Sequence, residues 1–122
     1  MFQLFDREKS GSLSKPEGGV FVIVGFESGT VPDFKSIDHF ELYCIRDGKI
    51  VTKRMLRFPD ANDESGKIRM MKQLDADAVI AAKFLPRDLA KLREAGIKAC
   101  SFDGGPGAAI REYRKGNLKS LY

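Results

Sequence analysis

Short apolar runs and a helical apolar pattern alternate in the last third of the chain. Val79–Ala82 is the first of two runs typical of buried strands, and residues 97–102 form the second. Between them, Pro86 opens a segment that Gly96 ends, and leucines recur in it at helical spacing, at positions 85, 89 and 92. Residues 104–107, Gly-Gly-Pro-Gly, then turn into a last helix. This order predicts a βαβα unit, whose crossovers build a parallel sheet with binding sites beyond the carboxyl ends of its strands.

A buried strand and a hairpin are predicted in the first half of the chain. Residues 20–24 are a near-continuous apolar run, which is typical of a central strand covered on both faces. Phe40, Leu42 and Cys44 then alternate with other residues, and an Asp-Gly pair at 47–48 is a strong turn signal before a further strand. We therefore expect these three side chains on the core face of the hairpin.

A helix is predicted after the hairpin. Asn62 or Asp63 can cap its N-terminus, because either side chain accepts a hydrogen bond from a free backbone N–H group. Apolar residues recur at helical spacing and form the expected inner face, which consists of Ile68, Met71 and Leu74. Solvent exposure is expected for the cations between them, which are Lys67, Arg69 and Lys72.

Length and composition indicate a single α/β domain. The chain has 122 residues, of which 43% are hydrophobic and 31% are charged, enough for one core. Residues 1–19 are of mixed character, so we expect a flexible N-terminal segment followed by the domain over residues 20–122. No apolar run approaches the roughly 20 residues needed to span a bilayer, which predicts a cytoplasmic protein without a membrane partner.

The charges and cysteines exclude several classes of function. The formal net charge is +4, and the cations are scattered among acids, so the basic stripe that nucleic acid binding requires is missing. Cys44 and Cys100 have no CxxC spacing, which favours buried thiols over metal ligands. Nuclease chemistry on two metals needs several converging carboxylates, one of which is usually on the first strand in a fold of this kind, and residues 20–24 carry no acid. We expect no enzyme activity, and a hydrolase or transferase acting on a small anionic substrate is a minor alternative.

Three stretches of the sequence resemble a known family. Residues 40–51 read FELYCIRDGKIV, residues 95–99 read AGIKA, and residues 112–118 read EYRKGNL. Together with the order of elements, they are similar to the dinitrogenase iron-molybdenum cofactor biosynthesis family, the nitrogenase accessory factor-like domains. The resemblance covers residues 20–121 and identifies the chain as a divergent member.

The resemblance implies both a fold and a role. The implied fold is a ribonuclease H-like, three-layer α/β/α domain with a mixed five-stranded sheet of order 3-2-1-4-5, in which strand 2 runs against the others. The implied role is to bind or carry an iron-sulfur or iron-molybdenum cofactor precursor without catalysing a reaction.

Two motifs of the family are altered in this chain. Counting back from Phe40, the family's His-Phe-Gly falls on Asp33, Phe34 and Lys35, so the histidine of that motif is replaced. His39 is the only histidine of the chain. The family's Gly-Gly-x-Gly-Pro turn falls on residues 82–86, where only the proline is kept. Side chains in place of these glycines predict a smaller and more positive site.

One candidate binding site follows from the predicted sheet. The carboxyl ends of strands 1, 4 and 5 are expected to bring three loops together, and the third loop leads into a helix N-terminus, which favours an anion. The predicted ligand-binding residues are Lys83, Arg87, Gly104, Gly105 and Gly107. Alternatively, the glycines only form the turn and Lys83 points to water. Asp33 and His39 are weak candidates for metal ligands, because no ligand spacing joins them.

Two functions remain open from the sequence. The leading hypothesis is a non-catalytic binding protein that holds a metal-cluster precursor or another anionic ligand at the strand carboxyl ends. The alternative is a regulatory or scaffolding domain without a cofactor, which binds a protein partner or a second copy through the edge strand at residues 49–58.

Overall fold

The computed structural model describes residues 15–122 and contains five strands and three helices in that range. The predicted N-terminal segment lies mostly outside the described residues. The strands are β1 (Val20–Phe26), β2 (His39–Arg46), β3 (Lys49–Arg57), β4 (Ala78–Ala81) and β5 (Lys98–Ser101). The helices are α1 (Glu64–Gln73), α2 (Pro86–Glu94) and α3 (Pro106–Arg114), and a 3₁₀ turn covers Phe34–Ser36. Within residues 15–122, none of the helices has the length and apolarity needed to cross a bilayer.

The five strands form one mixed sheet of order β3-β2-β1-β4-β5, as predicted. β2 is antiparallel to both β1 and β3, while β4 is parallel to β1 and to β5. The predicted fold class is therefore confirmed, whereas its ribonuclease H-like label stays an implication of the resemblance. Because β1, β4 and β5 are parallel, their carboxyl ends lie at the same end of the sheet.

The sheet separates two hydrophobic cores. Alternate residues of β1 face opposite sides, so Phe21 and Ile23 join one core and Val22 and Val24 the other. The first core contains side chains of α1 and α2, including Ile68, Met71 and Leu92. The second contains Ala109 and Ile110 of α3. This two-sided burial explains why β1 is almost continuously apolar.

The helix boundaries follow local sequence signals. The Asp63 carboxylate accepts a hydrogen bond from the Gly66 N–H at 3.0 Å, which confirms one of the two predicted N-caps. Pro86 and Pro106 begin α2 and α3, where a missing N–H group costs nothing. Gly96 follows the end of α2 with φ of +76°, a conformation that glycine adopts without strain.

One expectation about α1 is wrong, because Lys67 is buried and not exposed. Ile68 and Met71 do face the core, and Leu74 packs against it, as predicted. Lys67 lies four residues before Met71, which places it on the same face of the helix. The two cysteines are both buried, as expected, and burial raises the pKa of each thiol.

Candidate functional site

The loop between β1 and β2 lies across the carboxyl ends of β4 and β5. The Ala82 N–H donates to the Pro32 carbonyl at 2.8 Å, and the Phe34 N–H donates to the Lys83 carbonyl at 2.8 Å. Further along the edge, the Val31 N–H donates to the Gly104 carbonyl, also at 2.8 Å. Backbone groups that β4 and β5 leave unpaired at their ends are satisfied by this loop. The loop is therefore a fixed part of the site.

Apolar contacts hold the same loop against the sheet. Phe34 and Ile37 are completely buried, and the ring of Phe34 stacks on that of Phe84 with 5.5 Å between centroids. Gly25 of β1 lies next to Ile37. A Cβ atom at Gly25 would come within 2.8 Å of two side-chain atoms of Ile37. Because Gly25 has no side chain, Ile37 can pack in the core at this position.

Lys67 ties α1 to this loop. Its ammonium group donates hydrogen bonds to the carbonyl oxygens of Phe34 at 3.0 Å and Lys35 at 3.2 Å. The same Nζ atom lies over the rings of Phe34 and Phe58, at 5.5 and 5.7 Å from their centroids. Burial lowers the pKa of Lys67, and the carboxylates of Glu64 and Asp88 oppose this effect. Sequence reasoning missed the role of Lys67, and its helical spacing to Met71 was the available signal.

A cavity of about 250 Å³ opens between the β1–β2 loop and the start of α2. It combines two exposed lysines with a partly buried ring and a buried acid, and it is lined by Asp33, Lys35, Lys83, Phe84, Leu85 and Asp88. Of the predicted residues, Lys83 and Asp33 meet here. Lys35 and Lys83 bring two positive charges to the cavity, beside the carboxyl groups of Asp33 and Asp88. We call it the lysine cavity.

Asp88 forms the buried side of the lysine cavity and was not predicted. Its Oδ2 atom accepts a hydrogen bond from the Leu85 N–H at 3.0 Å, which fixes the first turn of α2. Its Oδ1 atom is inaccessible and has no hydrogen-bond partner among the described residues. Burial raises the pKa of Asp88, and the neighbouring Glu64 carboxyl raises it further, while the Leu85 N–H and Arg87 oppose the shift.

Arg87, a predicted ligand-binding residue, is engaged with α1. Its Nε atom lies 3.2 Å from Oε1 of Glu64, and the pair lines a neighbouring cavity that also contacts Lys35. Arg87 is exposed and does not line the lysine cavity. The guanidinium group of Arg87 therefore forms an ion pair with Glu64.

The glycine-rich loop after β5 contacts the β1–β2 loop. The Gly104 carbonyl is bonded to Val31, and Gly105 lies against Gly29, whose carbonyl oxygen would be 3.4 Å from a Cβ at Gly105. Gly107 is exposed with open space beside it. None of Gly104, Gly105 and Gly107 lines the lysine cavity. The predicted glycines therefore lie outside the cavity that Lys83 lines, and the β1–β2 loop is bonded to both parts of the predicted site.

His39 lies apart from Asp33, so the two weak metal candidates do not converge. Nδ1 of His39 is 3.1 Å from Oδ2 of Asp38, and half of the His39 side chain is exposed. His39 lines a separate cavity together with Ser28. Across residues 15–122, no three histidine, cysteine, aspartate or glutamate side chains are placed to hold a metal ion.

The fold is similar to solved structures of other small proteins. The crystal structure of the protein PH0822 gives a TM-score of 0.72 at 17% identity, with 84% of this chain and 97% of that chain covered. A candidate dinitrogenase from Methanocaldococcus jannaschii gives 0.68 at 19% identity, with 84% and 95% covered. The apo form of the orange protein from Desulfovibrio gigas gives 0.68 at 12% identity, with 83% and 92% covered.

No protein-family model matches the sequence, and no curated protein matches it. At such low identities the superpositions bear on the fold alone. The chain therefore shares the fold of these three proteins in a divergent sequence.

Proposed function

We propose that this protein is a non-catalytic binding protein that holds a small anionic ligand in the lysine cavity. The observation that carries the proposal is the pairing of Lys35 and Lys83 on two loops that the Phe34 N–H to Lys83 carbonyl bond joins. Two lysine side chains on loops whose backbones are joined in this way can both approach an anion in the cavity. The cavity of about 250 Å³ suits a small oxyanion or a small anionic cluster.

The proposed cargo is an anionic metal-cluster precursor or a related oxyanion. The family resemblance supports this, as do the names of two neighbours, a candidate dinitrogenase and a protein solved in its apo form. Both cysteines are buried in separate cores, and the described residues offer no three-ligand metal set. A cluster would therefore be held by charge and hydrogen bonds, as cargo, and not by cysteine ligation.

Support for a non-catalytic role comes from the described nucleophiles. Cys44 and Cys100 are buried with raised pKa values, which disfavours the reactive thiolate. His39, the only histidine, bonds to Asp38 in another cavity. Neither described cysteine is therefore an exposed, activated thiolate.

The proposal is tested by loading the protein. Anaerobic purification, with iron, molybdenum and sulfide analysis and an absorption spectrum, detects a cluster that is carried from the cell. Calorimetric titration with molybdate and with sulfate measures anion binding by the purified protein. If the protein is metal-free, fails cluster reconstitution and binds neither anion, the proposal is wrong.

Lys83→Ala is expected to weaken molybdate binding about tenfold, because it removes one of two ammonium groups at the cavity, an interaction of about 1–2 kcal/mol. The free energy of unfolding should change by less than about 0.5 kcal/mol, since Lys83 is exposed. Lys119→Ala, at another exposed lysine, is the matched control. Unchanged affinity in Lys83→Ala would remove this residue from the site.

A second candidate function is docking of an acidic, extended protein segment along β3. This nine-residue strand is at the edge of the sheet, and seven of its residues are exposed. Four of its nine residues are basic and none is acidic. Lys53 pairs with Glu41 and Arg57 with Asp38, both at 3.3 Å, so the strand and these two acids together retain positive charge. A partner strand with alternating acidic residues complements both the charge of β3 and the edge that, among the strands of residues 15–122, pairs with β2 alone.

Lys49→Glu combined with Arg57→Glu is expected to weaken binding of a synthetic alternating Glu-Val peptide by at least about tenfold, through like-charge repulsion across the strands. Backbone amide shifts of β3 in a nuclear magnetic resonance titration report the contact. Lys72→Glu combined with Lys119→Glu, at two exposed lysines outside β3, is the control for net charge. Absence of peptide binding to the unaltered protein contradicts this candidate function, and self-association in sedimentation would assign the edge to a second copy instead.

A further inference from the structure

The carboxyl group of Asp88 lies where two helices and the lysine cavity meet. Asp88 is completely buried and lines the cavity, and its Oδ1 atom has no partner among the described residues. An ionised carboxylate in this position leaves a charged oxygen without a hydrogen bond, which is costly. A protonated carboxyl group can donate a hydrogen bond from Oδ1, and the carboxyl group of Glu64, whose influence raises the pKa of Asp88, is a neighbouring acceptor.

The groups facing Asp88 come from every element around it. From α1, Glu64 contributes negative charge and the buried Lys67 positive charge. Arg87, on the same helix as Asp88, is paired with Glu64. The cavity wall adds three charged side chains, which are Asp33, Lys35 and Lys83. The two cavity lysines are exposed, whereas Glu64 and Asp88 are close neighbours in a region of low exposure.

We infer that an anion entering the lysine cavity binds together with one proton, which is held on the carboxyl group of Asp88. The inference rests on the proposed function, since it concerns the same site. An anion in the lysine cavity repels an ionised Asp88, because Asp88 lines the same cavity and its buried carboxyl group is poorly screened by water. Protonation of Asp88 by solvent removes that repulsion and supplies the missing donor at Oδ1. Anion binding is therefore stronger at a pH at which Asp88 can take up this proton.

The direction of the pH dependence follows from linkage. Anion binding favours protonated Asp88, so affinity falls as the pH rises above the pKa of Asp88 in the free protein, by at most tenfold per pH unit for one proton. Folding already raises the pKa of Asp88. The contribution of the protonated group to stability is therefore complete below the unfolded pKa and is lost as the pH rises through the raised, folded pKa.

Sulfate is the probe, because its charge is constant between about pH 5 and about pH 9, where only the protein titrates. Calorimetric titrations across this range, in buffers of different ionisation enthalpy, give both the affinity and the number of protons taken up. We expect decreasing affinity with increasing pH and uptake approaching one proton per sulfate. Asp88→Asn keeps the shape and an acceptor for the Leu85 N–H, and its uptake should fall to near zero with a flat affinity profile.

Two further variants separate the outcomes. His39→Gln removes the only histidine, which lies in another cavity, and should leave proton uptake unchanged. Glu64→Gln removes the neighbouring acid and should reduce proton uptake on sulfate binding. This variant replaces Asp88→Asn in the test if Asp88→Asn does not fold. Sulfate binding that is independent of pH and releases or takes up no proton overturns this inference while the proposed function stands. Absence of sulfate and molybdate binding at every pH overturns the proposed function itself.

Discussion

Phe34→Ala is expected to lower the free energy of unfolding by about 3–5 kcal/mol, the cost of deleting a fully buried aromatic side chain. The ring stacks on Phe84 and lies beneath the Lys67 ammonium, so its loss leaves a void under the β1–β2 loop. This loss is a large part of the total stability of a small domain, which is about 5–15 kcal/mol. Urea unfolding followed by circular dichroism measures it.

Phe84→Leu is the matched control for Phe34→Ala. Phe84 is only partly buried and lines the lysine cavity, so a smaller loss of about 1 kcal/mol is expected. In both variants molybdate affinity should be compared under conditions where the protein is fully folded. If Phe34→Ala lowers the free energy of unfolding no more than Phe84→Leu does, the ring of Phe34 does not hold the β1–β2 loop in place.

Gly25→Ala is expected to lower the free energy of unfolding by about 1–3 kcal/mol through overpacking. The new methyl group would lie 2.8 Å from the Cγ1 and Cδ1 atoms of Ile37, which is itself completely buried and cannot move freely. Displacement of Ile37 also shifts the loop that carries Asp33 and Lys35. Thermal or urea unfolding gives the stability change, and molybdate titration reports the change at the site.

A double-mutant cycle isolates the cause of the Gly25→Ala effect. Ile37→Ala alone creates a cavity and should cost about 2–5 kcal/mol. In the double variant the methyl group at position 25 finds space, so the combined loss should be smaller than the sum of the two single losses by about 0.5–3 kcal/mol. Strictly additive losses would contradict the close approach of Gly25 and Ile37.

The secondary structure and its order were predictable because the local signals agree with the final fold. The apolar run of β1, the Asp-Gly turn between β2 and β3, and the prolines that open α2 and α3 each specify one element with little ambiguity. The inner face of α1 was also predictable from helical spacing. These features depend on residues close together in sequence.

The candidate site was only partly predictable. Lys83 was identified because it follows a strand that ends at the binding edge of a parallel sheet. Lys67 and Asp88 were missed, since a charged residue on a short helix is usually solvated. Gly104 and Gly105 were assigned to the same crevice as Lys83, but neither glycine lines the lysine cavity. The course of the β1–β2 loop depends on the packing of Phe34 and Ile37 in the core.

The sequence by itself determined the order of strands and helices, the two-sided burial of β1 and the positions of the helix ends, since each follows from periodicity or from the backbone limits of glycine and proline. Only the tertiary structure decided which charges are buried and where an anion can enter. Burial of Lys67 and Asp88 arises where segments distant in the chain pack together, and the loop that closes the edge of the sheet is held by hydrogen bonds to residues about 50 and 70 positions away.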